Sequence, residues 1–246
     1  MRSPSWQSQA PPDRRTPLSA EPRSGGYNPC VSQPRKPKTR TFHEKGQTLT
    51  LHDRGTHVEL MIGHVPILSS AVLGTERAFG ELARKWPGGR ILVGGLGFGS
   101  TLAGVLSVVG PSAEVIVVEK LATVVKLVKG ELAHLAGRAL DDPRVRLVRE
   151  DVAAVIRKER DLDLILLDVD NGPEWASFTT NAALYDEAGL CAAHTALRRG
   201  GAYAVWSGYP ADAFLERLDD AGFAPSVVPF EEKGRLQARA YVGTRR

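Results

Sequence analysis

An α/β fold built on a mostly parallel sheet is what this sequence predicts, and three observations carry the prediction. From residue 90 onward, short runs that are apolar almost throughout (RILVGG, EVIVVE, VRLV, DLILLDV, AYAVWS) alternate with longer stretches of helical spacing. Strands that are apolar on both faces need helices on both faces, which is how parallel sheets are covered. The last two runs, APSVVPFEE and QARAYVGT, are joined only by a short KGR connection. That leaves no room for a crossover helix, so they form an antiparallel hairpin at one edge of the sheet. Near the front, TLTLHDRGTHVELMIG alternates on either side of Asp53-Arg54-Gly55, which predicts a small N-terminal β-hairpin.

In chain order, residues 1–40 read as a basic, Pro-rich tail. They hold eight of the sixteen prolines and a surplus of six positive charges, with almost no β-branched or large aliphatic residues. Such a stretch buries too little surface to offset its ordering entropy and is expected to be disordered. The chain carries +4 in total, so the remainder carries −2. A basic face for nucleic acid is therefore not expected. Residues 41–88 hold the hairpin and a helix from Thr75, with apolar Ala78, Phe79 and Leu82, stopped at Pro87-Gly88-Gly89.

Residues 89–246 hold the main domain, with helices expected over 101–110, 121–136, 152–160, 182–197 and 211–222. The stretch 91–110 is uncharged over a membrane-spanning length. Its six glycines and central turn cluster make it strand, loop and helix instead, and no membrane association is expected. Cys30 and Cys191 make neither a disulfide framework nor a CxxC pair, which fits a reducing cytoplasm. His43, His52, His57 and His64 lack the helical spacing of metal ligands, and His134 and His194 sit in helical patterns as surface or packing residues.

In an open parallel sheet, ligands bind beyond the carboxyl ends of the strands. After the first strand stand Gly94, Gly95, Leu96, Gly97, Phe98 and Gly99, then Ser100 and Thr101 opening a helix. Glycines let the backbone approach a ligand closely. The spacing misses the dinucleotide pattern GxGxxG, and no GK[ST] follows for a phosphate loop. The second strand ends at Glu119, placed to accept the hydroxyls of a ribose. Asp151, after the third strand, has two compatible readings: it caps the next helix, or it accepts the exocyclic amine of an adenine. The fourth strand runs directly into Asp168, Asp170 and Asn171 before a Gly-Pro turn. An acid there can hold an amine, receive its proton, and balance a nearby sulfonium. Trp175 and Tyr185 either wall an acceptor pocket by contact with a cation or pack in the core or a lid.

These residues together resemble the spermidine synthase family, built on the Rossmann-like fold of class I S-adenosylmethionine-dependent methyltransferases. The similarity spans residues 48–243: the hairpin, Thr75-Glu76, the glycine loop, VVEK, DDPRVRLVREDV, the acidic stretch ending in Gly172-Pro173, LYDEAGL and LRRGGAYAVW. More narrowly, the chain looks like bacterial spermidine-synthase-like proteins with a GGLGxG loop and LDVDNGP. The resemblance implies Glu119 on the ribose, Asp151 near adenine, and the glycine loop (Gly94, Gly95, Gly97, Gly99) around the methionine-derived arm. It implies Asp168 as the acid that helps deprotonate an attacking amine, with Asp170 alongside; Asn171, Trp175 and Tyr185 are the candidate residues of the acceptor pocket. The co-substrate it implies is S-adenosylmethionine or its decarboxylated form, with no metal, a small-molecule amine or other small acceptor, and a homodimer paired through the N-terminal regions.

The sequence departs from the family where donors are distinguished. Typical aminopropyltransferases have an aspartate in the loop, GGGDG, where this chain has Gly97 or Phe98. The acidic stretch is shorter than DxxDPxGP, and Ser69-Ser70 stands in the neighbourhood where a glutamine is usual. Three functions are open at this point: aminopropyl transfer to an amine in polyamine biosynthesis, methyl transfer from S-adenosylmethionine, and nucleoside binding without catalysis.

Overall fold

The computed structural model describes residues 37–71, 73–169, 172–174, 181–232 and 234–246. Four short strands come first: β1 (Lys38–Glu44), β2 (Gln47–Asp53), β3 (Val58–Ile62) and β4 (Val65–Ser69), paired antiparallel in chain order. The expected hairpin is the β2–β3 pair, with Leu51 opposite Leu60 and Leu49 opposite Ile62. Two more strands flank it. Lys45-Gly46, both at positive φ, joins β1 to β2, as a two-residue turn requires. β1 starts at Lys38, inside the stretch read as tail. Its sequence carried no apolar signal because it is an edge strand, exposed over most of its length.

The second sheet has seven strands, β5 (Arg90–Gly94), β6 (Glu114–Val118), β7 (Val145–Val148), β8 (Leu162–Leu167), β9 (Leu197–Ser207), β10 (Phe223–Glu232) and β11 (Arg235–Arg245), in the order β10-β11-β9-β8-β5-β6-β7. β7, β6, β5, β8 and β9 pair in parallel, and β11 is antiparallel to both β9 and β10. Their side chains divide between two cores with the period of a strand. Ile91, Val93, Val115, Val117, Leu164 and Leu166 face one side, together with Leu49, Leu51 and Leu60 of the first sheet. Leu92, Ile116, Val118, Ile165 and Leu167 face the other. This division is why the strands read as continuous apolar runs.

The helices are α1 (Gly74–Gly80), α2 (Ser100–Val108), α3 (Ala122–Lys129), α4 (Val152–Lys158), α5 (Glu187–Ala196) and α6 (Ala213–Asp220). Two expected helices are shorter than their periodicity. The one over 121–136 stops at Gly130, whose φ and ψ of −102° and −116° leave the helical region. The one over 182–197 begins anew at Glu187, because Asp186 accepts the Gly189 N–H at 2.8 Å and caps α5. In the C-terminal hairpin the last strand lies inside, and β10, bearing Pro225 and Pro229, takes the edge where a missing N–H costs nothing. Among the described residues no helix is long and apolar enough to cross a membrane. The uncharged stretch 91–110 resolves into β5, the glycine turn and α2.

Candidate active site

The chain leaves β5 for α2 and β6 on one side, while β8 lies on the other, so the strand order reverses at β5. A cleft opens there, beyond the carboxyl ends of β5, β6 and β8. Its floor is the glycine loop. Gly95 has φ +89°, and a Cβ on it would lie 2.3 Å from the Asp168 carbonyl oxygen, so only glycine lets the loop pass the start of the β8 exit. Gly95 and Gly97 line the cleft. Gly94 and Gly99 do not: Leu167 and Val152 crowd the first, Ala136 the second, and their part is to let the loop pack rather than to meet a ligand. Phe98 is buried among the core side chains and leaves the cleft open.

Glu119 follows β6 and is 8% exposed. Its Oε2 accepts the Leu96 N–H at 3.2 Å and its Oε1 the Leu121 N–H at 2.7 Å, so it ties the glycine loop to the start of α3. Burial pushes its pKa above the ordinary carboxylate range, against those two N–H bonds and the nearby Lys120 charge. The first sheet braces the same turn. Glu44, at the end of β1, accepts the Ala122 and Thr123 N–H groups at 2.7 and 2.8 Å. Burial opposes its ionisation, yet these bonds outweigh it and hold its pKa below the usual value. Asp151 takes the first of its two readings and also borders the cleft. It caps α4 through Oδ1, accepting from Ala153 N at 2.9 Å and Ala154 N at 3.4 Å, and it lines the cleft.

Asp168 follows β8 and is half-buried at the opposite wall. Its own N–H donates to Gly94 O at 2.9 Å, and the Thr101 hydroxyl donates to Oδ2 at 2.6 Å. Desolvation raises its pKa to about 6, against the Thr101 bond, which favours the ionised form. Glu76 on α1 is raised to about 9, by desolvation first and then by the Asp168 charge. The arrangement can therefore hold one proton over two carboxyls near neutral pH.

Asp170, Asn171 and Trp175 lie outside the described residues. Tyr185 takes the core reading rather than the pocket one: it is 2% exposed, packs edge-on against Phe214 with ring centroids 6.1 Å apart, and does not line the cleft. Other contributors were not foreseen. Ile67 and Leu68 of β4 and the buried Asn181 line the cleft, Thr101 donates to Asp168, and Glu76 feels the Asp168 charge. Thr101 had a weak signal, a hydroxyl opening the helix after the glycine loop. Ile67 and Leu68 had none, since packing of the first sheet alone brings them there. Among the described residues no group of three or more His, Cys, Asp or Glu side chains could hold a metal ion.

Among solved structures, spermidine synthase from Thermotoga maritima superposes with a TM-score of 0.65 at 19% identity, over 83% of this chain and 71% of that one. A spermidine synthase in complex with the transition-state analogue AdoDATO gives 0.64 at 18% identity, again over 83% and 71%. TrmN from Thermus thermophilus gives 0.53 at 23% identity, over 76% of this chain and 56% of that one. At these identities the likeness is one of fold alone: a Rossmann-like fold of the methyltransferase type, in the form the spermidine synthases have. No protein-family model and no curated protein matches the sequence.

Proposed function

We propose that this chain is a transferase that moves an aminopropyl group from decarboxylated S-adenosylmethionine to a small-molecule amine, a step of polyamine biosynthesis. The observation that carries the reading is the charge of the cleft. Among its described lining residues three carboxylates, Glu119, Asp151 and Asp168, stand against one ammonium, Lys120. Such walls favour cationic ligands, and both the decarboxylated donor, with a sulfonium and an ammonium, and the amine acceptor are cationic.

The residues present fit such a donor. A Cβ at Gly95 would occupy the passage where the loop meets the β8 exit, and Gly97 leaves room up to Leu68, whose Cδ2 would be 3.5 Å from a Cβ there. Glu119 keeps lone pairs for ribose hydroxyls after accepting its two backbone N–H groups. Asp151 is free to receive an adenine amine while it caps α4, and Leu121, Val124 and Val152 offer apolar walls to a base. The bound donor supplies an electrophilic carbon on positively charged sulfur. Asp168 orients the acceptor nitrogen and takes its proton: the nitrogen lone pair makes the new C–N bond, the C–S pair goes to sulfur as a neutral thioether, and the proton passes to Asp168. Alignment and desolvation supply much of the remaining rate. Asp170 is proposed to assist Asp168.

Methyl transfer from S-adenosylmethionine is the second reading, and one observation favours it. At the position of the family aspartate the loop offers the cleft only Gly97, with Phe98 turned into the core, so the carboxylate of the intact donor meets no repulsion there. Calorimetry with both nucleosides separates the readings. Tighter binding of the decarboxylated form, by about tenfold or more (about 1.4 kcal/mol), is the expected result. Tight binding of the carboxylated form alone would hand the site to methyl transfer, and binding of neither would reject both.

A further inference from the structure

The crossing of α1 and α2 brings a second carboxyl to Asp168. The two helices touch backbone to backbone: a Cβ on Gly80 would lie 2.1 Å from the Thr101 carbonyl oxygen, and one on Gly104 2.1 Å from that of Arg77. Ser100 Oγ donates to the Leu73 carbonyl at 2.7 Å, and Thr101 Oγ1 lies 3.3 Å from the Glu76 carbonyl, so the start of α2 is stitched to the start of α1. The same Thr101 hydroxyl donates to Asp168 Oδ2 at 2.6 Å. Glu76 thereby sits, half-buried, on the turn of α1 that Thr101 links to Asp168, close enough for the two charges to repel. Arg77, next along α1, is exposed, and among the described residues the other charged groups lining the cleft are Glu119, Asp151 and Lys120.

We propose that Glu76 and Asp168 act as one two-carboxyl unit holding a single proton, with Glu76 keeping it so that Asp168 stays ionised and open to the proton released by the nucleophile. Two desolvated carboxyls in proximity do not both ionise readily, and they titrate as a pair. Glu76 does not line the cleft. It is a positioning residue that acts through Asp168, with Thr101 holding Oδ2 of Asp168. The catalytic use of the pair rests on the transferase reading above, whereas the pair itself does not.

Infrared titration of the full chain without nucleoside reads the carboxylic-acid C=O band directly. In the unaltered protein two steps are expected, and an acid band persists past pH 7, disappearing toward the upper value of about 9. Glu76→Gln should remove that band and leave the lower step near 6. Asp168→Asn should move the Glu76 step downward, because the repelling charge is gone; a merely structural Glu76 would not respond. A band above pH 7 that is no smaller in Glu76→Gln than in the unaltered protein, or a Glu76 step unmoved by Asp168→Asn, overturns the pair. If Asp168→Asn does not fold, the Glu76→Gln band decides alone. Two titration steps in a protein that turns over neither nucleoside would reject the transferase reading and leave the pair standing. Turnover whose pH profile is the same in Glu76→Gln and the unaltered protein would reject the pair's use in catalysis.

Discussion

Glu119 and Asp168 occupy equivalent places, each one residue beyond a strand flanking β5, and yet their surroundings differ in kind. Glu119 is held at both oxygens by backbone N–H groups that cannot move without moving the loop or α3. Asp168 is held at one oxygen by a side-chain hydroxyl and faces a second carboxyl. Burial raises the pKa of both, but at Glu119 fixed donors and Lys120 work against it, while at Asp168 the one counterweight is Thr101. The first is suited to hold a ligand in a single charge state. The second is suited to change its charge during a reaction. Position on the sheet brings both to the cleft; the donors around each decide how they differ.

The largest effect that would test this contrast is on turnover. Asp168→Asn should lower transfer by about 100- to 10,000-fold, the range for loss of a general base, with nucleoside affinity largely kept. Single-turnover rates and calorimetry on the same sample check it, and unchanged turnover would remove Asp168 from the chemistry. Glu119→Ala should do the converse. Loss of charge-assisted bonds to a ribose weakens nucleoside binding by about 10- to 100-fold, and the Leu96 and Leu121 N–H groups lose their partner, lowering the melting temperature as well. Equal affinity in that variant would abolish the distinction between the two carboxylates.

A smaller effect lies in the pH dependence of stability. Asp168 and Glu76 have native pKa values of about 6 and about 9, above the ordinary values of 3.8 and 4.5 that apply to the unfolded chain. Between roughly pH 4 and 9 the native state therefore binds more protons than the unfolded one, so this contribution to stability is full at low pH and lost as pH rises through the native values. Melting temperature should fall from pH 6 to pH 9, and Glu76→Gln should flatten that slope. A slope of the same size in the variant would place the ionising group elsewhere.

The legible parts of the site share one property. The glycine loop, Glu119, Asp151 and Asp168 all follow strands whose apolar runs are self-evident, so their places at one end of the sheet follow from periodicity and the rule for parallel crossovers. Glu76 was visible as part of a motif but not as a neighbour of Asp168, since nothing local says that Gly80 and Gly104 let two helices meet at backbone distance. Tyr185 carried both a pocket and a core reading because it follows the acidic stretch, and only its packing beside Phe214, just before α5, decided between them.

By itself the sequence determined the layered α/β architecture, the two-sided burial of the central strands and the strand-end carboxylates, because these rest on side-chain period and on glycine and proline chemistry within a few residues. Only the tertiary structure decided that β11 lies inside β10, that the first sheet braces the cleft through Glu44, Ile67 and Leu68, and that Asp168 has a carboxyl neighbour. Each of these joins residues far apart in the chain, and a pKa set by desolvation and a neighbouring charge exists only once the fold has brought them together.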